Sequence, residues 1–145
     1  MPTNVVDSDT STIDLNNGKL QAGDTITATF SEAIASGLVT PTSITESRTI
    51  TGNAFLTIGG FTNGALDMGS ALYVAIASVT FSATGATSTP AKTVTITAGS
   101  LTSGILSDLG QGLLGGGMDY VPAPTLLDAA GNAATGSFHT SSPVF

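Results

Sequence analysis

The stretch AGDTITATFSEAI, Ala22 to Ile34, decides how the rest of the chain is read. From Thr25 to Phe30 it alternates without a break. Ile26, Ala28 and Phe30 fall on one side, Thr25, Thr27 and Thr29 on the other. A period of two marks a strand with one buried face, and β-branched threonine fits a pleated surface. The expectation is a strand with Ile26, Ala28 and Phe30 inward, entered from a turn at QAGD.

Working outward, the same pattern recurs. TSTIDL puts Ile13 and Leu15 on one face, and Asn17-Gly18 after it is a tight-turn signal. In ITESRTI, residues 44–50, Glu46 and Arg48 share a face with Ile44 and Ile50. Charges in mid-strand suggest a sheet edge, where they discourage sheet-to-sheet association. NAFLTIGGF, residues 53–61, reads as a strand closed by Gly-Gly. In ALYVAIASVTFSA, residues 71–83, the apolar phase shifts by one between Ile76 and Val79. A β-bulge or a sheet-switching bend leaves such a shift. KTVTITAG, residues 92–99, alternates Val94, Ile96 and Ala98, and a last strand runs through Phe138. SGILSDLGQGLL, residues 103–114, spaces Ile105, Leu109 and Leu113 by four. Each glycine costs a helix about 1 kcal/mol, so a loop with a turn of helix is expected there. The whole reads as an all-β antiparallel sandwich of about seven to nine strands with long Gly-rich loops. One domain fits 145 residues. The sandwich is placed at residues 12–138, between a flexible or exchanged tail at 1–11 and a C-terminal tail at 139–145.

Composition removes several function classes. Only 9% of residues are charged and the net charge is −7, with Lys19, Arg48 and Lys92 the sole cations. A phosphate backbone needs several Lys or Arg contacts, so nucleic acid is a poor partner, and so is an anionic membrane surface. The apolar run Leu72–Ala77 is far too short to span a bilayer. There are no cysteines, hence no disulfide framework and no thiolate chemistry. The N-terminal residues lack the basic start and apolar core of a signal peptide. An extracellular location is still expected, by a removed signal, by another export route, or as part of a virion.

The candidate chemical motifs are thin. GQGLLG, Gly110 to Gly115, matches G-x-G-x-x-G, but no strand precedes it and Gly116 and Gly117 follow in place of a helix. His139 is the only histidine, so a three-His zinc site is impossible, and no G-x-S-x-G elbow accompanies it. Tyr73 and Tyr120 fit core or rim equally well, and no Trp offers a sugar platform. No enzymatic activity and no cofactor are expected. Calcium is the one chemical option to test, because it takes six to eight oxygens from carboxylates and carbonyls. Asp128, Asn132 and Asp24 are the candidate ligands. Their simpler reading is turn chemistry, since Asp bonds to backbone N–H groups nearby. A side-chain cross-link from Lys19 or Lys92 to Asn53 or Asn132 would require all three groups, an acid included, to be buried.

AGDTITATFSEAI, followed a hundred residues later by LLDAAGNAATGSF, resembles the bacterial Ig-like domains of surface and adhesin proteins. The matching residues are Gly23, Asp24, Ile26, Phe30, Ser31 and Glu32, then Asp128, Gly131 and Asn132. The resemblance implies an Ig-like sandwich, with insertions at 60–72 and 100–120. Similar domains serve as accessory proteins on phage heads and tails. The expected function is a non-enzymatic structural subunit that builds or decorates an extracellular surface assembly. Its partners would be copies of itself or other subunits. The glycines Gly110, Gly112, Gly115, Gly116 and Gly117 and the two tails are the expected assembly contacts. The alternative is a calcium-stabilised binding module of a cell-surface adhesin, recognising glycan or protein.

Overall fold

The computed structural model describes residues 1–8, 21–35, 41–48, 52–68, 77–87, 92–104 and 118–140. Over these residues the chain is all-β, without a helix. The strands are β1 (Pro2–Ser8), β2 (Thr25–Phe30), β3 (Ser43–Arg48), β4 (Ala54–Ile58), β5 (Leu66–Asp67), β6 (Ala77–Thr87), β7 (Thr93–Ser103), β8 (Asp119–Tyr120) and β9 (Phe138–His139). Seven form one sheet in the order β1-β2-β7-β6-β3-β4-β5, and β8 pairs with β9. Every pairing is antiparallel. β8 comes up beside β5 and β9 beside β1, so the small sheet lies between the two edges of the large one.

Alternation sets which face is inside. Ile26, Ala28 and Phe30 of β2 are buried, as expected from their period, while Thr25, Thr27 and Thr29 are half-buried on the other face. Val94, Ile96 and Ala98 of β7 repeat the pattern one strand over, with Ile26 opposite Ile96 and Ala28 opposite Val94. Ile44, Leu56, Ile58 and Phe81 continue the core across β3, β4 and β6. Each such side chain contributes roughly 1.5–3 kcal/mol on burial.

The β6–β7 ladder shifts register on either side of Phe81. The irregularity falls beside Gly99, where an added Cβ would run into the Ser82 hydroxyl. A bulge was expected in this strand, a few residues earlier; Leu72, Val74 and Ile76 lie outside the described residues.

One expectation is overturned. Residues 43–48 are not a sheet edge: β3 pairs with β4 on one side and β6 on the other. Glu46 lies on its inner face and is 1% exposed. The charge pattern misled because the acid is accommodated inside the sheet. The segment at 1–11, expected as a flexible or exchanged tail, is from Pro2 to Ser8 a strand paired with β2, at the edge of the sheet among the described residues. At the other end, His139 belongs to β9 and Thr140 is buried. The Thr140 N–H donates to the Met118 carbonyl at 2.9 Å, and its hydroxyl accepts from the Met118 N–H at 2.7 Å. The expected strand at TSTIDL and the helical turn within 103–114 lie outside the described residues.

Residues 118–140 close the molecule. Tyr120 is fully buried, with its ring against Phe61 at 5.0 Å and edge-on to Phe30 at 6.4 Å between centroids. Its hydroxyl donates to the Phe61 carbonyl at 2.9 Å. Leu126 is buried beside this cluster, and Phe138 packs against the core while partly exposed.

Candidate functional site

Where β2 ends, the two halves of the sequence pattern meet. Ile34 forms an isolated antiparallel bridge with Asp128, and the Ala35 N–H donates to the Leu127 carbonyl at 2.9 Å. A cleft of about 250 Å³ opens there, lined by Phe30, Glu32 and Ile34 on one side, Asp128 and Asn132–Thr135 on another, and Met1. Of its lining, Phe30 and Ile34 are buried, Asp128 is half-buried and Glu32 is exposed.

Asp128 organises the turn. Its Oδ1 accepts from the Ala130 and Asn132 N–H groups, each at 2.8 Å, and its Oδ2 accepts from Asn132 Nδ2 at 2.9 Å. The Asn132 side-chain and backbone bonds, with those from Ala130 and Gly131, hold the carboxyl below its ordinary range. Gly131 completes the turn at φ 87°, a conformation that costs other residues about 1–2 kcal/mol.

The first residue is fixed on the opposite wall. The Met1 ammonium donates to Ser31 Oγ at 3.1 Å, and the Ser31 N–H donates to the Met1 carbonyl at 2.9 Å. Lys92 Nζ donates to the Ser31 carbonyl at 3.0 Å. The Met1 side chain runs past Gly136, whose φ is 85°; a Cβ there would come within 2.8 Å of Met1 Cγ. Nothing in the sequence pattern pointed to Met1, because its seat is made by residues 30 to 135 positions away.

The expected calcium ligands are not brought together. Asp128 and Asn132 are bonded to each other, but Asp24 stands before β2 while the cleft lies after it. Six strand residues separate them, about 20 Å. Among the described residues, no group of three or more His, Asp or Glu side chains is arranged to hold a metal. The cross-link candidates that are described have other partners, Asn132 donating to Asp128 at 2.9 Å. Lys92 is exposed and bonded to Ser31, while Asn53 donates to Asp67 at 3.0 Å; Lys19 lies outside the described residues. His139 Nδ1 meets Asp119 Oδ1 at 2.8 Å, with both side chains largely exposed. Gly110, Gly112, Gly115, Gly116 and Gly117 lie outside the described residues.

A second polar locus was misread from the sequence. Asp24 and Glu46 are each 1% exposed. Burial, and then the Asp24 carboxylate nearby, push the Glu46 carboxyl up to about 8. Glu46 Oε1 has no hydrogen-bond partner. Asp24 Oδ2 accepts from the Gln21 N–H at 2.6 Å, so its burial is part of the turn into β2. No protein-family model matches the chain, and no curated protein or solved structure is found similar to it.

Proposed function

We propose that the chain is a non-enzymatic structural subunit with an Ig-like sandwich fold, which builds or decorates an extracellular surface assembly. Such an assembly is a phage head or tail, where the chain would be a decoration protein, or a surface filament or tube. The supporting observation is the outward face of the large sheet. Thr25, Thr27 and Thr29 stand opposite Thr97, Thr95 and Thr93; Thr97 is opposite Thr84, Thr45 opposite Thr80 and Thr57, and Ser43 opposite Ser82. The Thr27 and Thr95 hydroxyls bond at 2.9 Å, and those of Thr45 and Thr80 at 3.3 Å. A neighbouring subunit can cover hydroxyls already paired without stripping water from ions, a step that costs several kcal/mol per charge.

Sedimentation velocity and negative-stain electron microscopy over a range of concentrations test this. Large regular particles are expected, and Thr27→Lys with Thr95→Lys should dissolve them by placing charge on the covered face. A wild-type chain that stays monomeric at high concentration, and is missing from native particles, sinks the reading. The alternative, a binding module of a surface adhesin, draws its support from the 250 Å³ cleft at the end of β2. A glycan array on the monomeric chain tests it.

A further inference from the structure

β1 ends the order of the large sheet, with β9 beside it. Among the described residues it pairs with β2 alone, and β2 keeps its ladder to β7 on the other side. Pro2 suits such an edge, because it has no N–H to leave unpaired. Sixteen residues, 9–24, join the end of β1 to the start of β2. An antiparallel pair of this kind closes with two to five. Gln21–Asp24 form the turn into β2, and the twelve residues before it have a contour length of up to about 40 Å.

The seat for the first residue is specific. Ser31 bonds both the ammonium and the carbonyl of Met1. Gly136 leaves room for the Met1 side chain. Within one chain the seat is not filled. Met1 remains 60% exposed, and the 250 Å³ cleft lies beside it.

We infer that β1 is exchanged between copies: Met1–Ser8 of one molecule pairs with β2 of the next, with its Met1 in that molecule's cleft. This rests on the reading of the chain as a self-assembling subunit. The exchanged strand makes the same backbone bonds and the same Ser31 contacts as the unexchanged one. Swapping therefore keeps the β1–β2 pairing and the Ser31 contacts, which makes it a low-cost route to assembly.

The chain has no cysteine, so engineered ones report cleanly. Val6 stands opposite Thr27, and Asn4 opposite Thr29. Opposed Cα atoms in an antiparallel pair lie about 4.5–5.5 Å apart, within disulfide range. V6C chains are assembled with an equal amount of T27C chains and oxidised, and N4C with T29C in the same way. V6C with T57C is the control. Exchange predicts that the V6C–T27C and N4C–T29C links between chains dominate the products, at least tenfold over the control. Linkage no greater than the control at both pairs overturns it, as does closure of the V6C/T27C double variant only within single chains of assembled material. Light scattering on the same samples separates the two ideas. Particles without interchain links remove strand exchange and leave the structural-subunit reading. A monomer at every concentration removes both.

Discussion

The Tyr120 hydroxyl donates a hydrogen bond to the Phe61 carbonyl at 2.9 Å, across 59 positions of sequence. It ties the closing segment to the turn after β4. The same carbonyl also accepts from the Ala123 N–H at 3.0 Å. Tyr120→Phe therefore leaves the acceptor with one partner, and the expected cost is about 1 kcal/mol. Tyr120→Ala also removes the ring between Phe30 and Phe61, at about 3–5 kcal/mol. Urea unfolding of both variants checks this. Equal losses would mean that the ring contributes nothing beyond the hydroxyl.

Glu46 predicts a stability that falls as pH rises. Its carboxyl moves from an ordinary 4.5 to about 8 in the folded chain. Between these values the native state holds a proton that the unfolded state has released. Stability is then greatest below about 4.5, declines by about 1.4 kcal/mol per pH unit up to about 8, and is flat above. Glu46→Gln keeps the size and removes the titration. It should be close to neutral at pH 4 and stabilising by a few kcal/mol at pH 8. Denaturant curves at the two pH values decide it; a variant less stable than wild type at pH 8 would show that the ionised carboxylate is favourably held.

Asp128 carries the opposite sign. Its carboxyl is held below its ordinary value of 3.8, so what it contributes is present above that pH and is lost as pH falls through the depressed value. Asp128→Asn retains an Oδ1 for the Ala130 and Asn132 N–H groups and should melt close to wild type at pH 7. Asp128→Ala loses all three bonds and should melt lower. Since no group of three acids is gathered around Asp128 among the described residues, the melting temperature should be the same with calcium and with chelator. A rise with calcium that disappears in Asp128→Ala would establish a metal site there.

What could be read from sequence was what is local. The period of two in Thr25–Phe30 and Thr93–Ala98 needs no knowledge of the rest of the chain, and both strands lie where the alternation puts them. Asp128 and Gly131 were legible as a turn for the same reason. β3 was misjudged because an acid in mid-strand normally avoids the interior, and only the three-dimensional neighbourhood shows that this one is buried near Asp24. β8 and β9 are two residues each, too short for any period. The Met1 seat is assembled from Ser31, Asp128 and Gly136, and no window of sequence contains it.

Gly136 and Gly131 together isolate the contribution of that seat. Both have positive φ, 85° and 87°, so alanine pays the same backbone strain at each, about 1–2 kcal/mol. Around Gly131 an added Cβ meets open space, whereas at Gly136 it would meet Met1 Cγ at 2.8 Å and Sδ at 3.3 Å. Gly136→Ala must therefore displace the Met1 side chain as well. The expected result is a larger loss for Gly136→Ala than for Gly131→Ala, by about 1 kcal/mol in denaturant unfolding. Removing residues 1–8 from both variants should bring the two losses together. If the losses are equal while Met1 is present, the contact between Met1 and Gly136 is not holding the first residue in its cleft.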